Sequence, residues 1–145
     1  MGRPFSPFGH SMKSTNTYIA IIDDDEGMRD SLGRVLRLIG FQALTFSSAE
    51  LFLADPVREH FACLLVDMQL GGMSGIDLLK KLVAAGDHAP VIFITADDSE
   101  YTRSKAREIG CAGYFRKGES SEEIVETVKM IVSGRAPKNN FTKLG

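Results

Sequence analysis

Along the chain, short unbroken runs of apolar residues alternate with stretches in which apolar residues recur every three or four positions. The runs are Tyr18-Ile19-Ala20-Ile21-Ile22, Phe41 to Phe46, Phe61-Ala62-Cys63-Leu64-Leu65-Val66, Pro90 to Thr95, and Gly113-Tyr114-Phe115-Arg116. Runs this short, bounded by turn residues, predict strands, and the most apolar of them strands buried on both faces of a parallel sheet. After the first, Met28, Leu32, Val35, Leu36 and Ile39 recur at helical spacing, with Arg29, Asp30, Arg34 and Arg37 on the other face and Gly40 to close the helix. Ser47 with Glu50 predicts a capping box opening a short second helix that Pro56 stops. Ile76, Leu79 and Val83 mark a third helix ending near Gly86. Asp98 or Ser99 caps a largely polar fourth, which runs through Ile109 to Gly110. Ser120 with Glu123 opens a fifth, with Ile124, Val128, Ile131 and Val132 on one side and Gly134 at its end. Strand and helix thus alternate five times. That order predicts an α/β single domain, a doubly wound five-stranded parallel sheet, over residues 18–134, because right-handed crossovers cover both faces.

The flanks read differently. Met1 to Thr17 is polar, rich in Gly, Pro and Ser and without periodicity, which predicts a disordered leader with a natural start at Met12; Arg135 to Gly145 is a short C-terminal tail. A length of 145 residues with 25% charged and 43% hydrophobic residues is ordinary for one soluble domain. The formal charge of −2 recommends neither nucleic acid nor an anionic membrane as a direct partner. No apolar run approaches the roughly 20 residues of a membrane span, and no secretory pattern opens the chain. Cys63 and Cys111 lack metal-type or disulfide spacing and read as reduced thiols of a cytoplasmic protein. His10, His60 and His88 are scattered loop residues.

Four of the five strands end in a polar side chain: Asp23 and Asp24, Asp67, Thr95, and Lys117. In a parallel sheet those ends share one rim, where ligands bind. The second strand, ending at Phe46, contributes nothing comparable, as expected of an edge strand. Three carboxylates in one crevice repel; two charges about 4 Å apart cost about 4 kcal/mol at an effective dielectric near 20. Lys117 supplies one positive charge, so a hard divalent cation with oxygen ligands, Mg²⁺, is the natural complement. No His or Cys stands at these ends, which argues against zinc. Carboxylate, Mg²⁺, ammonium and hydroxyl together suit phosphoryl chemistry with an aspartyl nucleophile, and Ala96 is small enough to leave access open. Asp25, Glu26 and Asp97 read as solvated acids at caps or loops, and Met68 and Met73 as loop packing.

With these residues in view, the chain resembles the receiver domain of two-component response regulators from Tyr18 to Ser133. The resemblance rests on IIDDDEGMRDSL, LLVDMQLGGMSGIDLL, VIFITA and GCAGYFRKG, in that order. It implies a flavodoxin-like fold in which Asp67 accepts a phosphoryl group from a sensor histidine kinase or a phosphotransfer protein. Asp24 ligates Mg²⁺ directly, Asp23 acts mainly through water, and Asp67 and the backbone carbonyl of Gln69 complete the metal set. Thr95, Ala96 and Lys117 bind phosphoryl oxygens, while Thr95 and Tyr114 form the switch. Two positions depart from the family pattern. Gly118 follows the lysine where proline in a cis peptide is usual, so a trans bond is expected; Gly71 stands where the loop usually carries proline, so Gly71-Gly72 should be more mobile.

The function read from the sequence is a phosphorylation-controlled signalling module rather than an enzyme turning over small molecules. Its readout surface is expected on the fourth helix, last strand and last helix, around Tyr101, Arg103, Arg107, Tyr114 and Glu122, as a homodimer or partner interface. A rival is a phosphate-independent interaction module on the same fold, for which Gly118 is the best support. An aspartyl-nucleophile phosphohydrolase needs a second acid two positions beyond the nucleophile, where Gln69 stands.

Overall fold

The computed structural model describes residues 17–56, 60–97 and 99–134. Five strands, β1 (Tyr18–Ile22), β2 (Gln42–Phe46), β3 (Phe61–Val66), β4 (Val91–Thr95) and β5 (Gly113–Arg116), alternate with five helices. The helices are α1 (Glu26–Leu38), α2 (Ala49–Leu53), α3 (Gly75–Ala84), α4 (Glu100–Ile109) and α5 (Ser121–Val132). All strand pairs are parallel, in the order β2-β1-β3-β4-β5. The sheet is the doubly wound one expected, with β2 at an edge. Thr17 already belongs to the ladder, its carbonyl accepting from Gln42 N–H at 2.9 Å. The remaining leader, including Met12, and the tail from Arg135 lie outside the described residues.

Strand alternation divides the core into two layers. Ile19, Ile21, Cys63, Leu65, Ile92, Ile94 and Phe115 face one way and meet Leu32 and Leu36 of α1 and Ile124 and Val128 of α5. Ala20, Ile22, Leu64, Val66, Val91, Phe93 and Tyr114 face the other way, onto Phe52 of α2, Leu78 and Leu82 of α3 and Ala106 of α4. Each large side chain taken fully from water here contributes about 1.5–3 kcal/mol. An edge-to-face aromatic group, Phe46 with Phe52 and Phe61, closes the end of that second layer.

Several local readings shift. Asp25 is the N-cap of α1, its carboxylate accepting from Gly27 N and Met28 N, as a helix-start acid should. Arg29 and Arg37, expected on the solvent side, reach back to the Asp23 and Ala43 carbonyls, and Ile39 is 41% exposed at the helix end. The cap of α2 is Ser48, whose hydroxyl accepts from Leu51 N, so Ser47 and Glu50 form no capping box. In α3 the buried stripe is Leu78, Leu79 and Leu82, while Val83 is 54% exposed; the helix faces the sheet one position earlier than its apolar spacing suggested. Ser99 caps α4 and Gly110 ends it in the left-handed region at φ 104°. Asp98, the alternative cap, lies outside the described residues. Ser120 caps α5, with Glu122 N as the donor to its hydroxyl.

Candidate functional site

Register brings the site together. The sheet ladder continues one residue beyond β1, β3 and β5: Asp23 N donates to Phe46 O, Asp67 N to Ile22 O and Lys117 N to Thr95 O, at 2.9–3.0 Å. Asp23 and Asp67 therefore leave adjacent strands side by side, at the point where strand order reverses between β1 and β3. Both are buried. Lys117 arrives from β5 and places Nζ 3.0 Å from Asp67 Oδ2 and 3.2 Å from Asp23 Oδ2. One ammonium thus bridges two carboxylates that come from residues 94 and 50 positions away in sequence.

Backbone donors orient the acids. Asp67 Oδ1 accepts from Gln69 N at 2.9 Å and Asp23 Oδ1 from Asp25 N at 2.9 Å. Burial pushes the Asp23 carboxyl above its ordinary value; the Asp25 N–H pulls it down, the Asp67 charge raises it and Lys117 lowers it again. For Lys117, burial favours loss of the proton, yet the hydrogen bond to Asp67 and the charges of both acids outweigh it and leave the ammonium above its usual range.

Asp24 is exposed, and its carboxylate completes a group in which one oxygen each from Asp23, Asp24 and Asp67 lies within 4.8 Å of the others. Three hard oxygen donors, two of them buried and with a single ammonium beside them, fit a divalent cation of the Mg²⁺ type. Gln69 lies in the loop directly after Asp67 and meets the group through its N–H, which donates to Asp67 Oδ1.

Thr95 and Tyr114 belong to a neighbouring network. Thr95 is fully buried, and its hydroxyl oxygen accepts from Asp97 N rather than touching the acid–lysine group. The Asp97 carboxylate accepts from Ser99 N and Thr102 Oγ1, and the first of these holds its pKa below the ordinary value. The Tyr114 hydroxyl donates to Asp97 O at 3.1 Å. Ala96 is exposed and leaves the rim open beside Thr95.

The family model for the response regulator receiver domain matches residues 19–129, from the first strand into the last helix. The chain belongs to the response regulator receiver family. Receivers of this family are signalling modules of two-component systems and typically work through phosphorylation and Mg²⁺. Response regulator protein TodT of Pseudomonas putida is 32% identical over 118 residues, which cover 81% of this chain and 52% of TodT. The chain thus spans about half the length of that relative. The solved structure of response regulator StyR matches with a TM-score of 0.75 at 30% identity, covering 84% of this chain and 62% of StyR. The BeF3-activated DrrB receiver domain gives 0.75 at 25% identity, covering 82% of this chain and 99% of that one.

Of the residues expected around the readout face, Tyr114 lies inside rather than on the surface. It is fully buried, because strand alternation turns it onto the α4 side of the sheet, with the Arg103 guanidinium 6.0 Å from its ring centre. Tyr101, by contrast, is 71% exposed. No cis peptide bond occurs among the described residues, and Gly118 adopts φ 98° in open space. The lysine loop therefore uses the left-handed freedom of glycine, and Lys117 still reaches both acids.

Two further residues shape the site. A Cβ on Gly75 would lie 2.5 Å from Asp67 O and 2.8 Å from Met68 Cα, so only glycine lets α3 start against the backbone of Asp67. Glu50, assigned to a cap, instead accepts a hydrogen bond from Met73 N at 2.9 Å in the loop after Asp67. The signal for Glu50 was the second serine, Ser48, whose use as the cap frees it. Gly75 carried no signal that set it apart from Gly71 and Gly72. No helix among the described residues is long and apolar enough to cross a membrane.

Proposed function

We propose that this chain is a phosphorylation-controlled receiver in which Asp67 takes a phosphoryl group from the phosphohistidine of a sensor histidine kinase or phosphotransfer protein. The observation that carries the reading is Lys117 Nζ within 3.0 Å of an Asp67 carboxylate oxygen that shares its rim with Asp23 and Asp24. An Asp67 oxygen forms the bond to phosphorus as the bond from phosphorus to the donor imidazole nitrogen breaks, and the imidazole leaves with the electron pair. Gln69 N–H fixes the carboxylate plane for that approach, and Lys117 offers its ammonium to the transferring oxygens. Asp23, Asp24, Asp67 and the Gln69 carbonyl would hold Mg²⁺, which when bound supplies charge neutralisation for the phosphoryl group. Thr95 and the backbone at Ala96 receive the remaining phosphoryl oxygens. Thr95 would donate its O–H to one of them while its own oxygen still accepts from Asp97 N, so a pull on Thr95 reaches the loop whose Asp97 carbonyl accepts from the Tyr114 hydroxyl. Thr95 and Tyr114 together thereby form the switch.

The phosphoryl group adds about two negative charges at Asp67, which biases an equilibrium of the α4–β5–α5 face. That face, with exposed Tyr101, Arg107 and Glu122, serves a homodimer or partner in the cytoplasm, without direct contact to nucleic acid or membrane. Incubation with acetyl phosphate and Mg²⁺, followed by intact mass, tests the chemistry. Wild type gains one phosphoryl group and Asp67→Asn gains none; equal labelling of both overturns the assignment. Sedimentation with and without beryllofluoride tests the readout, and unchanged assembly and partner affinity would remove it.

A further inference from the structure

Segments 23 residues apart meet beside the Asp67 loop. This loop is anchored to the core by Met68 and Leu70, both buried, and passes into α3 at the Ser74 cap. Between these anchors Gly71 and Gly72 are exposed, and Gly72 sits at φ 75°. Two successive glycines give the backbone wide freedom there. A contact from outside the loop opposes it: Met73 N donates to Glu50 Oε2 at 2.9 Å. The same oxygen lies 2.9 Å from the place a Cβ on Gly72 would occupy, so the carboxylate rests against bare backbone. Glu50 is available for this because Ser48 caps α2 through its own hydroxyl.

We propose that Glu50 is a positioning residue for the cation site: by tying the loop after Asp67 to α2, it keeps the Gln69 carbonyl in place for Mg²⁺. The proposal rests on the reading of the site given above. Met68 and Leu70 hold either side of Gln69, so the freedom its carbonyl keeps comes from the glycine pair beyond; restraining that pair at Met73 before the ion binds leaves less entropy to lose. A carboxylate acceptor makes the restraint stronger than a neutral one.

Two readouts test it on the full chain: amide hydrogen exchange at Met73 without metal, and Mg²⁺ titration followed by amide chemical shifts. Glu50→Ala should speed Met73 exchange about tenfold and weaken Mg²⁺ binding about threefold to tenfold, as loss of one charged hydrogen bond implies. Glu50→Gln keeps an acceptor oxygen and should recover most of both effects. Gly72→Ala displaces the carboxylate and strains the backbone at φ 75° as well, so Met73 exchange should be at least as fast as in Glu50→Ala, and adding Glu50→Ala should speed it no further. Unchanged Met73 exchange in Glu50→Ala overturns the tether, and faster exchange with wild-type Mg²⁺ affinity overturns its link to the metal. Asp67→Asn should lose Mg²⁺ affinity with Met73 still protected, which separates the tether from the site. Wild type that takes no Mg²⁺ overturns the site reading and the Glu50 proposal together.

Discussion

Two polar networks lie at the same end of the sheet and are built in opposite ways. The acid–lysine group gathers Asp23, Asp67 and Lys117 from β1, β3 and β5 across separations of up to 94 residues, and its acids are buried. The neighbouring group, Thr95, Asp97, Ser99 and Thr102, is assembled by bonds spanning two to five residues, and of its long-range contacts the Tyr114 hydroxyl is the clearest. The first group is placed by the register of the whole sheet. The second can rearrange by turning a loop. On the proposed reading, a charge added at Asp67 would meet a sheet-wide group on one side and a loop-built one on the other, and the loop-built side would transmit the change.

The sharpest way to break this contrast is to disturb the sheet-wide group at its backbone. Gly75→Ala forces a methyl group against Asp67 O and should cost about 3 kcal/mol, as overpacking does, measured by urea unfolding. It should also abolish labelling by acetyl phosphate; normal labelling with unchanged stability would show that Asp67 does not need its tight seat. Lys117→Ala removes the ammonium shared by both acids. Labelling should slow by about a hundredfold, in the range for loss of one preorganised charge. Mg²⁺ should bind more tightly, because a cation then replaces a missing charge rather than competing with one; titration and labelling rates moving the same way would contradict it.

Asp23→Asn separates charge from shape in the sheet-wide group. Burial and the Asp67 charge already disfavour the ionised form, so the variant should gain about 1 kcal/mol without metal and lose most stabilisation by Mg²⁺. Loss of stability in metal-free buffer would mean that the Lys117 pair outweighs the burial cost. On the loop-built side, Tyr114→Phe deletes one hydroxyl bond while keeping the ring under Arg103. It should cost about 1 kcal/mol in unfolding and leave labelling of Asp67 intact.

The smallest effect is in pH, and it has opposite signs in the two groups. Asp23 is raised above its value of 3.8, so its contribution is fully present below that pH and is lost as pH rises through the shifted value. Asp97 is lowered, so its contribution is present above 3.8 and is lost as pH falls through the shifted value. Carboxyl titration by NMR should show the two moving apart; parallel shifts would erase the distinction between the networks.

Much of this was legible in the chain. Apolar runs of five or six residues alternating with helical spacing gave the element order, and polar residues at strand ends marked the rim, because parallel strands share a direction. What went astray was short-range choice between near-equal options. Ser47 and Ser48 offer the same cap chemistry one residue apart, and Val83 and Leu82 offer adjacent apolar faces. Tyr114 could have been inside or outside until β5 was docked with a definite face toward α4.

The sequence by itself determined the order of strands and helices and the chemical inventory of the rim, since periodicity and side-chain type are local properties. Only the tertiary structure decided that Lys117 spans Asp23 and Asp67, that Gly75 must be bare and that Glu50 holds the next loop. The Lys117 and Glu50 contacts join segments distant in the chain, and the Gly75 contact is a backbone approach made where the loop after β3 folds back. They are set by how the sheet packs and registers, which no window of residues encodes alone.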